Sequence, residues 1–112
     1  MCVKKITDAG LKHLKNVKII NLNGCTKITD AGLAYLKHVK DISLGQCKNI
    51  TDAGLANLPK TITTINLYIC KQINDAGLDH LTNVKEINLR CCYNITDAKK
   101  QELRDKGIEV YG

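Results

Sequence analysis

Four cysteines, Cys25, Cys47, Cys70 and Cys92, stand 22, 23 and 22 residues apart. Five aspartates, Asp8, Asp30, Asp52, Asp75 and Asp97, keep the same pace at 22, 22, 23 and 22. Thiols and carboxylates in rows suggest three chemistries: a metal site, a set of disulfides, or acid–base catalysis. Zinc needs ligands gathered around a point, and residues repeating at one period form a line, so no metal is expected. Side-by-side thiols in a column are close enough to bridge, but their Cβ vectors run parallel rather than converging. The N-terminal copy of the cysteine slot holds Val3, with Cys2 one place off. A slot shared by Cys and Val reads as a small buried apolar position, because free Cys packs as a small hydrophobe. The expectation is reduced, buried, metal-free thiols at Cys25, Cys47, Cys70 and Cys92. Cys91 lies outside that slot and is expected to react first with a thiol reagent.

No catalytic set emerges around the histidines. His13 and His80 share a slot with Tyr35, Asn57 and Glu102, a range of side chains that suits a solvated helix face. No Ser or Cys is placed beside a His and a carboxylate, and no Gly-rich phosphate loop occurs. The aspartates are explained by helix starts, where negative charge suits the dipole. A non-enzyme without cofactors is the expectation.

Behind both rows is one phrase written five times, as ITDAGL from Ile6, Ile28 and Ile50, INDAGL from Ile73 and ITDAKK from Ile95. A second phrase precedes it: Val17, Ile20, Leu22 and Cys25; then Val39, Ile42, Leu44 and Cys47; Ile62, Ile65, Leu67 and Cys70; Val84, Ile87, Leu89 and Cys92. A period in the twenties marks a solenoid, since no single unit of that size can bury its own apolar face. The Ile20-x-Leu22 alternation predicts a short strand, necessarily parallel to its copies. Thr29 is the expected helix N-cap, its hydroxyl accepting from an unpaired backbone N–H, and Asn74 serves in the same place. Gly32 is a poor helix former and implies close approach to a neighbour. Lys99 and Lys100 stand where Gly and Leu belong, so nothing is expected to pack on them. Gly107 caps that helix, and Ile108–Tyr111 is read as a closing strand, with Val110 in the slot of Leu89.

This pairing of an LxxLxLxxC-type strand with an ITDxGLxxL helix resembles the cysteine-containing leucine-rich repeat found in the substrate-recognition regions of F-box proteins. The resemblance implies an α/β fold, a right-handed leucine-rich-repeat solenoid or horseshoe with parallel strands on the concave face and helices on the convex face. It also implies protein–protein recognition, in a ubiquitin-ligase setting as substrate-recognition or adaptor unit. The whole chain, 1–112, reads as one domain. Residues 1–16 are a half repeat; 17–38, 39–60, 61–83 and 84–107 are repeats; 108–112 form a capping strand.

Composition fits that reading. Phe and Trp are absent while aliphatic residues abound, as ladders of Leu, Ile and Val require. No apolar run is long enough for a membrane span and no signal peptide is evident, so a cytoplasmic or nuclear location is expected. The net charge is +6. Lysines follow the Cys slot (Lys4, Lys5, Lys27, Lys48, Lys71) and precede the strands (Lys15, Lys18, Lys37, Lys40, Lys60, Lys85). The alternative to a protein partner is therefore a nucleic acid or other anionic surface gripped by those rows, although stacking aromatics are few.

The concave face carries the candidate binding residues. After the last inward strand residue come Asn23, Gly45, Tyr68, Arg90 and Tyr111, and then Gly24, Gln46, Ile69, Cys91 and Gly112. Small and polar residues fill both series in the first two repeats, and the large amphipathic Tyr68, Ile69, Arg90 and Tyr111 come later. Tyr and Arg are enriched at binding hot spots. The expected partner-binding set is Tyr68, Ile69, Arg90, Cys91 and Tyr111 with Asn66, Asn88 and Glu86. The same patch, or the adjoining edge strand, is where weak homodimerisation is expected.

Overall fold

The computed structural model describes residues 6–112. Helices and strands alternate along the chain: α1 (Asp8–Leu11), β1 (Ile19–Asn21), α2 (Asp30–Leu33), β2 (Asp41–Ser43), α3 (Asp52–Asn57), β3 (Thr64–Asn66), α4 (Asp75–Leu78), β4 (Glu86–Asn88), α5 (Asp97–Asp105) and β5 (Glu109–Tyr111). The strands form one parallel sheet in chain order, and successive helices α1 to α4 pack on one another. Register follows the period: Ile20, Ile42, Ile65 and Ile87 pair in line. Beyond the strands the ladder continues, with Leu22 N–H donating to Ser43 (2.8 Å) and Leu44 N–H to Asn66 (2.8 Å).

Burial tracks the repeat slots. Ile42, Leu44, Cys47, Ile50, Leu55 and Leu67 are fully enclosed, and no polar side chain is buried among the described residues. Ile20 and Val110, at the two ends of the isoleucine column, are only partly buried. Each repeat thus completes its core with side chains from its neighbours, as a solenoid must.

The helix starts differ from expectation in an instructive way. Thr7, Thr29, Thr51 and Asn74 hold the N-cap backbone position, yet none makes a side-chain capping bond. Instead the aspartate of the preceding repeat reaches across. Asp8 accepts from both the Thr29 N–H (2.8 Å) and the Thr29 hydroxyl. Asp30 does the same for Thr51 and Asp75 for Thr96, while Asp52 accepts from the Asn74 N–H and its side-chain amide. A carboxylate is the stronger acceptor, so the hydroxyl donates to it rather than accepting from its own helix. Thr96 alone does both, accepting from Lys99 N–H at 3.1 Å. Gly32 is explained by the same link: a β-carbon there would sit within 3.1 Å of three Asp8 side-chain atoms.

Three further expectations are corrected. Lys99 does not mark an empty slot. Its side chain is 10% exposed and its ammonium pairs with Asp79 and Glu102, which lets α5 run to nine residues. Tyr111 pairs with Asn88, and Val110 with Ile87 rather than standing in the slot of Leu89. A shift of two residues keeps every side chain on its face, so alternation could not distinguish the registers. Cys25 is disulfide-bonded and is not the reduced thiol expected. Cys47, Cys70 and Cys92 are free and buried, and each donates its S–H to a carbonyl of the preceding repeat: Leu22, Leu44 and Leu67. Expectations for Cys2, Val3, Lys4 and Lys5 fall outside the described residues.

Candidate partner-binding surface

The outward side of the sheet is built from two columns fixed by the strand register. One reads Ile19, Asp41, Thr64, Glu86, Glu109; the other reads Asn21, Ser43, Asn66, Asn88, Tyr111. The acidic residues lie in the first column, so the sheet face is not cationic. The lysines that precede the strands stand exposed outside both columns.

Beyond each strand the chain turns sharply, and side chains of the second column hold the turn. Asn21 accepts from Asn23 N–H (2.9 Å), Asn66 from Tyr68 N–H (3.0 Å) and Asn88 from Arg90 N–H (3.0 Å). Asn66 and Asn88 therefore position Tyr68 and Arg90. The second repeat has Ser43 there; Ser43 and the Gly45 N–H both donate to Asn23 instead. Next in each turn comes a residue with left-handed backbone: Gly24 (φ 74°), Gln46 (61°), Ile69 (58°) and Cys91 (61°). For a β-branched residue such as Ile69 that conformation is an outlier.

Five of the eight expected site residues meet at the C-terminal end of the face, and Tyr68, Ile69 and Cys91 do not join them in its hollow. Thr64, Asn66, Glu86, Asn88, Arg90 and Tyr111 line a shallow hollow of about 290 Å3. The Arg90 guanidinium lies 5.6 Å from the centre of the Tyr111 ring. The Tyr111 hydroxyl donates to Glu109 (3.2 Å), and that carboxylate pushes the phenol above its ordinary value. Tyr68 and Tyr111 are each 39% exposed. Ile69 and Cys91 sit on the adjoining loops, half-buried, away from the hollow itself.

Tyr93 was not singled out by sequence. It is 73% exposed, and its ring stands 5.7 Å from the Lys71 ammonium. Its phenol pKa is raised by the neighbouring Cys91 thiol. Its slot holds Thr26, Lys48 and Lys71 in earlier repeats; a tyrosine closing that series was the available signal. At the β5 edge, Arg104 donates to the carbonyls of Val110 (3.5 Å) and Gly112 (3.2 Å). The free edge is thus partly covered by a charged side chain.

Among the described residues no cluster of His, Cys, Asp and Glu could hold a metal ion. No helix among them is long and apolar enough to cross a membrane.

A profile of the Leucine Rich repeat family matches residues 13–37. No curated protein matches the chain. Among solved structures, a chain from the crystal structure of the Rad7 and Elc1 complex in yeast superposes with a TM-score of 0.79 at 17% identity, covering 97% of this chain. The present chain spans 31% of the length of that one. At such identity the likeness is one of fold.

Proposed function

We propose that this chain, with its leucine-rich-repeat fold and a Leucine Rich repeat match over residues 13–37, binds a protein partner through the C-terminal end of its sheet face. The carrying observation is the Arg90–Tyr111 pair at 5.6 Å, which borders an open hollow with Asn66, Glu86 and Asn88 along it. Arginine stacked on a tyrosine is held rigid, and rigid Arg and Tyr side chains bind at low entropic cost. Tyr68, Ile69 and Cys91 extend the contact onto the loops. The two asparagine amides and the Glu86 carboxylate offer both donors and an acceptor, which suits a polar main chain or side chain of a protein.

In this reading the domain is a non-catalytic substrate-recognition or adaptor unit, of the cysteine-containing type, working in the cytoplasm or nucleus. The structural relative from a complex of two proteins supports a protein as the partner. The acidic column of Asp41, Glu86 and Glu109 disfavours nucleic acid on this face.

The test is capture of partners from native extract by the wild type and by a Tyr68→Ala/Arg90→Ala variant whose fold is checked by circular dichroism. Loss of one partner band in the variant is the expected result. Undiminished capture, combined with a steep loss as salt is raised, would transfer the function to the lysine rows.

A further inference from the structure

The loops that follow the strands form a second surface. A groove of about 570 Å3 crosses three repeats there, lined by Gly24, Gln46 and Ile69 from the left-handed positions and by Thr26, Lys48 and Lys71. Its wall is braced by the Gln72 amide, which donates to the carbonyls of Cys47 (2.7 Å) and Ile50 (2.6 Å). Lys48 and Lys71 are exposed, and among the described residues neither enters an ion pair. Lys71 leans over Tyr93 at 5.7 Å, which holds one ammonium at the groove.

We infer that this groove takes a short extended stretch of an acidic peptide, its carboxylates meeting Lys48 and Lys71 and an apolar side chain covering Ile69. Neighbouring parallel repeats are about 4.8 Å apart, so three repeats span about 10 Å, the length of roughly three extended residues. Alternate side chains of such a segment face the same way, which sets acids toward the lysines and an apolar residue between or beyond them. Ile69 supports the apolar contact. A β-branched residue in left-handed backbone is costly, yet the structure keeps it in a position that Gly24 fills without strain. Nucleic acid fits less well, because no aromatic lines the groove and Lys71 lies over the ring of the neighbouring Tyr93, leaving no free ring for bases to stack on there. The two readings share Ile69 but are tested separately, because neither Tyr68 nor Arg90, the residues changed to test the sheet face, lines the groove.

The experiment uses the full chain and three labelled probes: a peptide of alternating Asp and Leu, an all-Asp peptide of equal length, and an oligodeoxythymidylate. Fluorescence anisotropy measures affinity, and amide shifts locate the contact. The alternating peptide is expected to bind best and to shift Gln46, Ile69 and Lys71. Lys48→Ala/Lys71→Ala should weaken it about tenfold, whereas the charge-matched control Lys15→Ala/Lys37→Ala should leave it unchanged. Equal binding of the all-Asp peptide, equal loss in both lysine variants, or tighter lysine-dependent binding of the oligodeoxythymidylate would each overturn the inference.

Discussion

The Asp30 carboxylate occupies the space that a β-carbon on residue 54 would need, since one placed on Gly54 would come within 2.3 Å of Asp30 Oδ1. The same carboxylate takes the N–H and hydroxyl of Thr51. Glycine and aspartate one repeat apart are therefore two halves of a single joint.

That joint predicts a suppressor. Gly54→Ala should destabilise by about 1–3 kcal/mol through overpacking, although Ala is intrinsically the better helix former by about 1 kcal/mol. Adding Asp30→Ala removes the obstruction, so the double variant should lose clearly less than the sum of the two single losses. Urea melts of the four-member cycle measure this. Strict additivity would show that the two residues do not share space.

The core prediction concerns Leu44, which is fully enclosed between neighbouring repeats. Leu44→Ala should cost about 2–5 kcal/mol, read as a drop in the denaturation midpoint. An unmoved midpoint would contradict the observed packing.

The buried thiols predict a dependence on alkaline pH. Burial, aided by Cys92 and Cys47 nearby, pushes the Cys70 thiol from 9.0 up to about 12. Burial also raises Cys47 and Cys92. The folded state keeps these protons while the unfolded chain releases them from about pH 9 upward. Stability is thus whole below that pH and falls above it, by up to about 1.4 kcal/mol per pH unit for each thiol, until the folded group ionises. Cys70→Val should flatten the fall in melting temperature between pH 9 and 11 relative to wild type. Parallel curves for the two proteins would reject the assignment.

A fourth prediction concerns association. Arg104 donates to the Val110 carbonyl of β5 and to that of Gly112 just beyond it, and a charged side chain on a sheet edge opposes pairing with another chain. Arg104→Ala should raise the apparent mass in sedimentation equilibrium at high protein concentration. An unchanged monomer would show that the edge is protected by something else.

Much of this architecture could be read before any coordinates. The column of Ile20, Ile42, Ile65 and Ile87 was legible because burial forces one residue type into one slot. The Asp–Thr joint was not, because a threonine hydroxyl can donate or accept and the one-dimensional pattern is the same either way. Tyr111 was misplaced beside Arg90, since a two-residue slip preserves both faces of a strand; its contact with the Arg90 guanidinium survives the correction because the two columns adjoin. Tyr93 escaped notice because its slot is lysine in the two repeats before it, and a series of cations gives no reason to expect an aromatic.

Side-chain links between repeats join residues 20 to 27 apart, as from Thr61 to Val39, Cys47 to Leu22 and Asn57 to Asp30. For a parallel sheet this is a modest contact order, because nothing at one end of the stack must find the other end before structure forms. Folding can begin at any adjacent pair and spread outward, one interface at a time. The middle of the stack, where Ile42 and Ile65 are sealed on both sides, should exchange its amide hydrogens last. The outermost strands should open first, which leaves the Tyr111 end of the sheet the readiest to rearrange around an arriving partner.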